Sequence, residues 1–375
     1  MKLNLLTRIF LILVLFPLTA LADELYEYPR PLSALGMGGV YLPFVQNVDA
    51  VQWNPAALAN VEKFDWELFD LEVGANGLDV YNTYQTMQKS GCSGTACYEQ
   101  FYGTPVHFES IGKSSFAMPR LGFMVYESIL LNATMHNPAF PNLNVNYLAD
   151  NGFLLGYGFP LAAGWDAGLT LKRIVRTGGD ENLSLSTITT AGASVLSNFN
   201  QNGTGYGVDL GLQYKLVDTG PLKTTMGIQW QDVGDTSFIA PAGTTAPPMI
   251  LNNLSVGIGS EFDFLIGGAK AGFEYRHITD TGEQIGKKLH LGMELDLPLI
   301  DVQAGLNEGY PTFGMGLDFF LFRIDAASYT EETGVYPGQL PSQRFKIGLS
   351  MEFSVDADFN ITSADGKKRK LKQRR

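Results

Sequence analysis

From residue 205 onward, apolar and polar side chains trade places one by one. Tyr206, Val208, Leu210, Leu212, Tyr214 and Leu216 are interleaved with Gly207, Asp209, Gly211, Gln213 and Lys215. Successive side chains of a β-strand point to opposite faces, so such a segment has one apolar face and one small or polar face. The pattern recurs at Leu254–Phe264, Ala271–Arg276, Leu289–Leu297, Phe313–Phe319 and Phe345–Phe353. A soluble β-sandwich alternates too, so the turns must decide. Each segment has about the 9–11 residues that a membrane-crossing strand needs. Connections alternate between short ones (160–164, 217–221, 265–267, 298–300, 320–321) and long ones (178–204, 236–249, 331–342). Short inner turns and long outer loops are the habit of bacterial outer-membrane barrels. By that rule the chain from residue 150 makes eleven strands, the first of them descending at Gly152–Phe159. Phe64–Val73 makes a first rising strand. The stretch 105–136 supplies two more that meet near Pro119. The expected fold is therefore all-β, a transmembrane antiparallel barrel of about fourteen strands over 63–361.

Export agrees with that reading. Lys2 and Arg8 precede the apolar run Ile9–Phe16, and Ala20-Leu21-Ala22 forms a small-x-small cleavage site, so residues 1–22 read as a secretory signal peptide. Only 17% of residues are charged, 45% are hydrophobic and glycine occurs 42 times. Soluble domains carry about 25% charge. Low charge and abundant glycine suit strands that face lipid. The net charge is −12, and nine of the 26 basic residues lie in the leader and the last nine positions. The body between is strongly acidic, which argues against nucleic acid as a partner. Cys92 and Cys97 stand five positions apart in an oxidising compartment and read as a disulfide closing a small loop. A metal site is the alternative reading, with His107 the only nearby imidazole.

Residues 28–60 break the alternation. They contain Leu35-Gly36-Met37-Gly38-Gly39, then Asp49-Ala50, then Trp53-Asn54-Pro55-Ala56-Ala57-Leu58. Asn54 reads as the cap of a short helix whose first turn holds Pro55, with Ala56–Ala59 as its body. No Gly-Lys-Ser/Thr follows the glycines, which excludes a nucleotide loop. This constellation resembles the FadL-like outer-membrane superfamily, which includes fatty-acid and aromatic-hydrocarbon channels, PorV/PorQ-type barrels and TraF-like exported proteins. The resemblance is closest to the PorV/PorQ and TraF-like side. It implies fourteen strands, with residues 23–62 folded inside as a plug or hatch. On that reading Leu35, Met37, Val40, Tyr41, Phe44, Asn54, Pro55 and Ala56 are the plug and candidate ligand residues.

The expected function is a channel for passive uptake of a small hydrophobic, fatty-acid or hydrocarbon-like compound, gated by the plug. The alternative is a PorV-type scaffold that assists protein secretion or surface attachment. The inward residues of these strands are mostly glycine and charged or amide side chains, a polar and hydrated wall, so an apolar pocket must come from the plug itself. Asp209, Lys215, Lys270, Glu274, Arg276, Glu294 and Asp296 project inward and are expected to pair with one another. His277 and His290 fall on opposite sides of the alternation, and the four histidines have no metal spacing. Neither an enzyme nor a cofactor is expected. Residues 77–112 read as a long outer loop with a short amphipathic helix at 81–89. Phe353 reads as the terminal insertion signal for the barrel-assembly machinery. Residues 362–375 form a basic periplasmic tail. Outer-membrane lipid, lipopolysaccharide, a hydrophobic ligand and an exported protein complete the expected partners, with the outer membrane as the location.

Overall fold

The computed structural model describes residues 28–76, 82, 85, 89, 102–136, 142–184, 199, 201–355 and 361–363. The leader, Cys92 and Cys97, most of the aromatic loop and the basic tail lie outside the described residues. Fourteen antiparallel strands form the wall. They are β1 (Phe64–Asn76), β2 (Val106–Met118), β3 (Leu121–His136), β4 (Asn142–Ala162), β5 (Trp165–Ser184), β6 (Asn202–Asp218) and β7 (Leu222–Gln231). The second half comprises β8 (Asn253–Phe264), β9 (Gly267–Tyr275), β10 (Leu289–Asp296), β11 (Ile300–Asn307), β12 (Tyr310–Phe319), β13 (Phe322–Glu332) and β14 (Pro341–Val355). Neighbours in sequence pair throughout, and β14 pairs with β1 from Phe64↔Val355 to Asn76↔Arg344, which closes the barrel. Closure leaves no unpaired edge, the condition for strands to cross a bilayer. Two short segments, Phe238–Ile239 and Ile361–Ser363, pair onto β6 and β14.

The outer face carries the apolar members of each alternation. Leu171, Tyr206, Leu291, Met293, Phe313 and Ile347 are all exposed there, an apolar band of the kind that faces lipid. Aromatic residues gather at its inner margin. Trp66 lies 6.0 Å from Phe116 and 5.9 Å from Phe353, and Trp165 stacks 4.5 Å from Tyr214. Aromatic girdles of this kind mark membrane interfaces. The protein is a barrel of the bacterial outer membrane.

Turns at the end where the chain enters the barrel are two or three residues long, at 119–120, 163–164, 219–221, 265–266, 297–299 and 320–321. Three outer connections depart from expectation. β2 begins at Val106, so 106–112 belong to the wall and not to the loop from 77. The outer turn between β11 and β12 is only Glu308-Gly309, both at positive φ (53° and 89°). His277 lies beyond the end of β9, in the following loop. β4 and β5 span 21 and 20 residues against eight for β10 and β11, so one side of the wall stands well outside the bilayer.

Inside the barrel lies the segment from Tyr28 to Val61, nearly all of it buried. It contains the helical turns α1 (Leu32–Gly36) and α2 (Ala50–Trp53) and the 3-10 turns Leu42–Phe44, Asn47–Asp49 and Pro55–Asn60. Pro55 opens the last turn and Asn54 caps it, its side-chain oxygen accepting from Ala56 N at 3.2 Å. The expected helix is thus 3-10 in form. Val51, Trp53, Leu58, Met124, Leu154 and Ile174 share one apolar core; Met37, Val40 and Phe44 make another.

Candidate functional site

The glycines of the wall explain how the segment fits. In register, Gly259, Gly272, Gly292 and Gly305 pair directly across β8–β11. Gly158, Gly168 and Gly211 do so across β4–β6, Gly122 pairs with Gly156, and Gly227 with Gly257. These rows are flat grooves in which the N-terminal backbone rests. A Cβ at Gly227 would stand 2.8 Å from Leu42 O, one at Gly158 2.6 Å from Pro55 O, and one at Gly272 2.9 Å from both Phe44 and Val40 side chains. At Gly168, Gly211 and Gly292 it would strike Pro55, Asn54 and Met37 outright. The small members of the alternation, expected to bound a hydrated lumen, are therefore dry sockets over much of the wall.

Wall side chains satisfy the segment's free backbone groups, which a buried irregular stretch requires. Thr312 Oγ1 accepts from Gly38 N at 2.9 Å and donates to Gly36 O at 2.8 Å. Glu274 accepts from the amides of Tyr41 and Leu42. Thr170 donates to Val51 O at 2.7 Å and Gln229 to Gln52 O at 2.9 Å; in the other direction the segment's Asn54 side chain donates to the wall carbonyl Leu212 O at 3.2 Å. Arg30 donates to Gly39 O at 3.0 Å and lies 3.8 Å from Glu274, which also stands 3.7 Å from Arg276. His290 Nδ1 lies 3.1 Å from Gly38 O and 2.8 Å from Asn307.

The inward charges pair as expected, but in buried networks. Lys172 lies 2.7 Å from Asp209 and 2.8 Å from Asp232, under the ring of Tyr28. Arg176 holds Asp150 bidentately at 2.8 and 2.7 Å. Lys113 meets Asp49 and Asp70 at 3.2 Å and Glu67 at 3.7 Å. Lys346 meets Glu72 at 2.8 Å and Glu109 at 3.3 Å. Near the inner rim Lys270 pairs with Glu294 at 2.7 Å, and Arg323 gathers Asp301, Asp318 and Asp325. Lys215 is 45% exposed and bonds Asn60 at 2.6 Å.

Above the segment is a cavity of about 1190 Å³. Tyr28, Pro29, Arg30 and Leu35 contribute to it from the N-terminal segment, and its outer lining includes Asn144, Asp180, Asp280 and Leu340 from the loop ends of the strands. Leu35 is the single candidate plug residue in this lining. Met37, Val40 and Phe44 face the glycine rows, Tyr41 packs edge-on to Trp53 at 6.5 Å and bonds Asp49, and Asn54, Pro55 and Ala56 lie against β4–β6. His277 and His290, separated by the alternation, both reach the cavity, as do Arg276 and Lys346. Leu130, Leu148, Met249 and Leu251 are apolar members of its lining. Met249 and Leu251 were missed because they come from an irregular loop. Among the described residues no cluster of His, Cys, Asp and Glu could hold a metal ion.

No protein-family model matches the chain, and no curated protein matches its sequence. Among solved structures the fold is similar to the monoaromatic hydrocarbon channel CymD, with 11% identity over 89% of this chain and 98% of that one, at a TM-score of 0.47. The Pseudomonas putida toluene transporter TodX shares 14% identity over 89% of this chain and 99% of that one, with a TM-score of 0.45. A Pseudomonas aeruginosa FadL homologue shares 11% over 89% and 99%, with a TM-score of 0.38.

Proposed function

We propose that the chain is an outer-membrane channel for passive uptake of a small hydrophobic compound, gated by its N-terminal segment acting as a plug. The observation that carries this reading is the outward-lying cavity whose inner side is made by Tyr28, Pro29, Arg30 and Leu35. Solute held there is separated from the periplasm by the segment, not by the wall. Leu130, Leu148, Met249 and Leu251 in its lining supply apolar contact, and the polar groups around them orient the solute, the usual division in a ligand pocket. Leu35 is the plug residue placed to touch it. Lipopolysaccharide surrounds the cavity mouth on this reading, and Phe353 serves the assembly machinery as the insertion signal.

A second reading is a PorV-type scaffold for exported proteins. The observation in its favour is the density of buried ion pairs and glycine contacts around the segment, which suits a barrel that stays shut. Purification from native outer membranes followed by mass spectrometry separates the two. A stoichiometric hydrocarbon or fatty acid, displaced by added toluene, is the expected result. A stoichiometric exported protein with no small molecule would overturn the channel reading.

A further inference from the structure

The inner turns fall into two arcs of different chemistry. The three that lie between β8 and β13 read Leu265-Ile266, Leu297-Pro298-Leu299 and Phe320-Leu321, with no charged or hydrogen-bonding side chain among them. Hairpin turns ordinarily carry Gly, Asn, Asp, Ser or Pro. Leu265 is fully exposed, and Ile266, Leu299 and Phe320 are 65%, 57% and 44% exposed. Phe320 also has a φ of 61°, a left-handed conformation that suits glycine or asparagine and strains a bulky side chain. On the other arc the turns are Pro119-Arg120, Ala163-Gly164 and Thr219-Gly220-Pro221, the last flanked by exposed Asp218 and Lys223. The large apolar residues nearest to them, Leu161 and Leu222, stand back in the adjoining strands.

Strand length and continuity identify what covers the apolar arc. β9, β10 and β11 have nine, eight and eight residues, against 21 and 20 in β4 and β5. At about 3.3 Å per residue and a tilt of about 40°, such strands rise about 20–23 Å, short of the apolar band of about 25 Å. A span too short for its bilayer must thin the bilayer or find more apolar surface. The turns supply that surface. Leu295, Ile300, Phe319 and Phe322, exposed on the lipid-facing side, lead into them without a break. The charges of the same strand ends turn the other way: Asp301 and Asp318 are buried inside the wall and both meet Arg323. We infer that this arc is a lipid-binding surface: turns 265–266, 297–299 and 320–321 lie within the inner leaflet, against phospholipid acyl chains, and complete the apolar band where the wall is short. Burial in lipid removes the exposed apolar area from water and offsets the strain at Phe320. The surface is independent of what the barrel carries.

The test uses the full chain with Cys92→Ser and Cys97→Ser, folded into dioleoylphosphatidylcholine vesicles. Single cysteines at exposed turn positions (Leu265→Cys, Leu299→Cys or Phe320→Cys on one arc, Arg120→Cys or Gly220→Cys on the other) carry a nitroxide label. Its relaxation by oxygen, which concentrates in hydrocarbon, is compared with that by a water-soluble nickel chelate. Labels at 265, 299 and 320 should relax several-fold more with oxygen, and labels at 120 and 220 more with nickel. Nickel dominance at 265, 299 and 320 would overturn the proposal. So would shielding from both agents, which marks a protein partner or a second copy, and so would oxygen dominance at all five positions, which would remove the distinction between the arcs. A second measurement needs no label. Leu265→Asn with Ile266→Gly installs a turn of better local fit. Its folded yield should nevertheless fall several-fold against the parent in dioleoylphosphatidylcholine and much less in the thinner dilauroylphosphatidylcholine. An equal or higher yield in the thicker bilayer would overturn lipid contact at that turn.

Discussion

A single added methyl group shows how tightly the segment is seated. Gly227→Ala places a Cβ 2.8 Å from Leu42 O and 2.9 Å from Leu42 Cγ. The opposing atoms belong to a backbone that is itself pinned by Glu274, so they cannot yield freely. Overpacking of this kind costs about 1–3 kcal/mol. The expected outcome is a lower urea midpoint, with faster proteolysis near Leu42 and an intact barrel band on unheated gels. Asp150→Ala acts by the opposite route, removing both carboxylate oxygens from Arg176, which is 1% exposed. Stripping a buried charge of its partner costs about 3–5 kcal/mol, and equilibrium unfolding should register a loss in that range. A much smaller loss would mean that Pro248 O and the Phe238 ring, its other neighbours, suffice for the guanidinium.

Among elements, the outer turn Glu308-Gly309 carries its own pH dependence. Glu308 is buried and accepts from Glu332 N at 2.7 Å. Burial, with Glu331 beside it, holds its carboxyl well above the usual carboxylate range. An acid whose folded pKa is raised binds more protons folded than unfolded, so stability falls as pH climbs from the unfolded value of about 4.3 toward the folded one. Glu308→Gln should flatten that part of the profile, measured as unfolding midpoint against pH. This turn also marks the limit of what the residues disclose. The strands were legible because lipid on one side and packing on the other impose a strict period of two; the count of fourteen followed from turn lengths. Asn54, Pro55 and the glycines of 36–39 were legible as a distinct inner segment because they break that period. The role of the wall glycines was not, since Gly259, Gly272, Gly292 and Gly305 are scattered in sequence and become one groove only through strand register. The apolar lining of the cavity was hidden for a similar reason: Leu130 comes from β3, Leu148 from β4, and Met249 and Leu251 from a loop.

For the whole molecule, closure and filling are separable. Every one of the fourteen strand pairings, including β14 with β1, is made by wall backbone alone, so the barrel does not need the segment to close. Filling does need it: without residues 28–61 the glycine rows face water, and Glu274, Thr170 and Thr312 lose their backbone partners. These groups are polar or small and tolerate water, while the apolar outer band remains in lipid. A chain lacking residues 28–61 should therefore still insert and show the heat-dependent gel shift of a folded barrel, at reduced stability. In planar bilayers it should conduct steadily, where the full chain is shut or opens briefly. The surplus of inward carboxylates over lysines around β1, β2 and β14 should make that current favour potassium over chloride, seen as the sign of the zero-current potential in a salt gradient. Failure to insert would mean that the segment templates closure and is no gate. Insertion without conductance would mean that the wall collapses across its glycine rows, and that the lumen exists only because the segment holds it open.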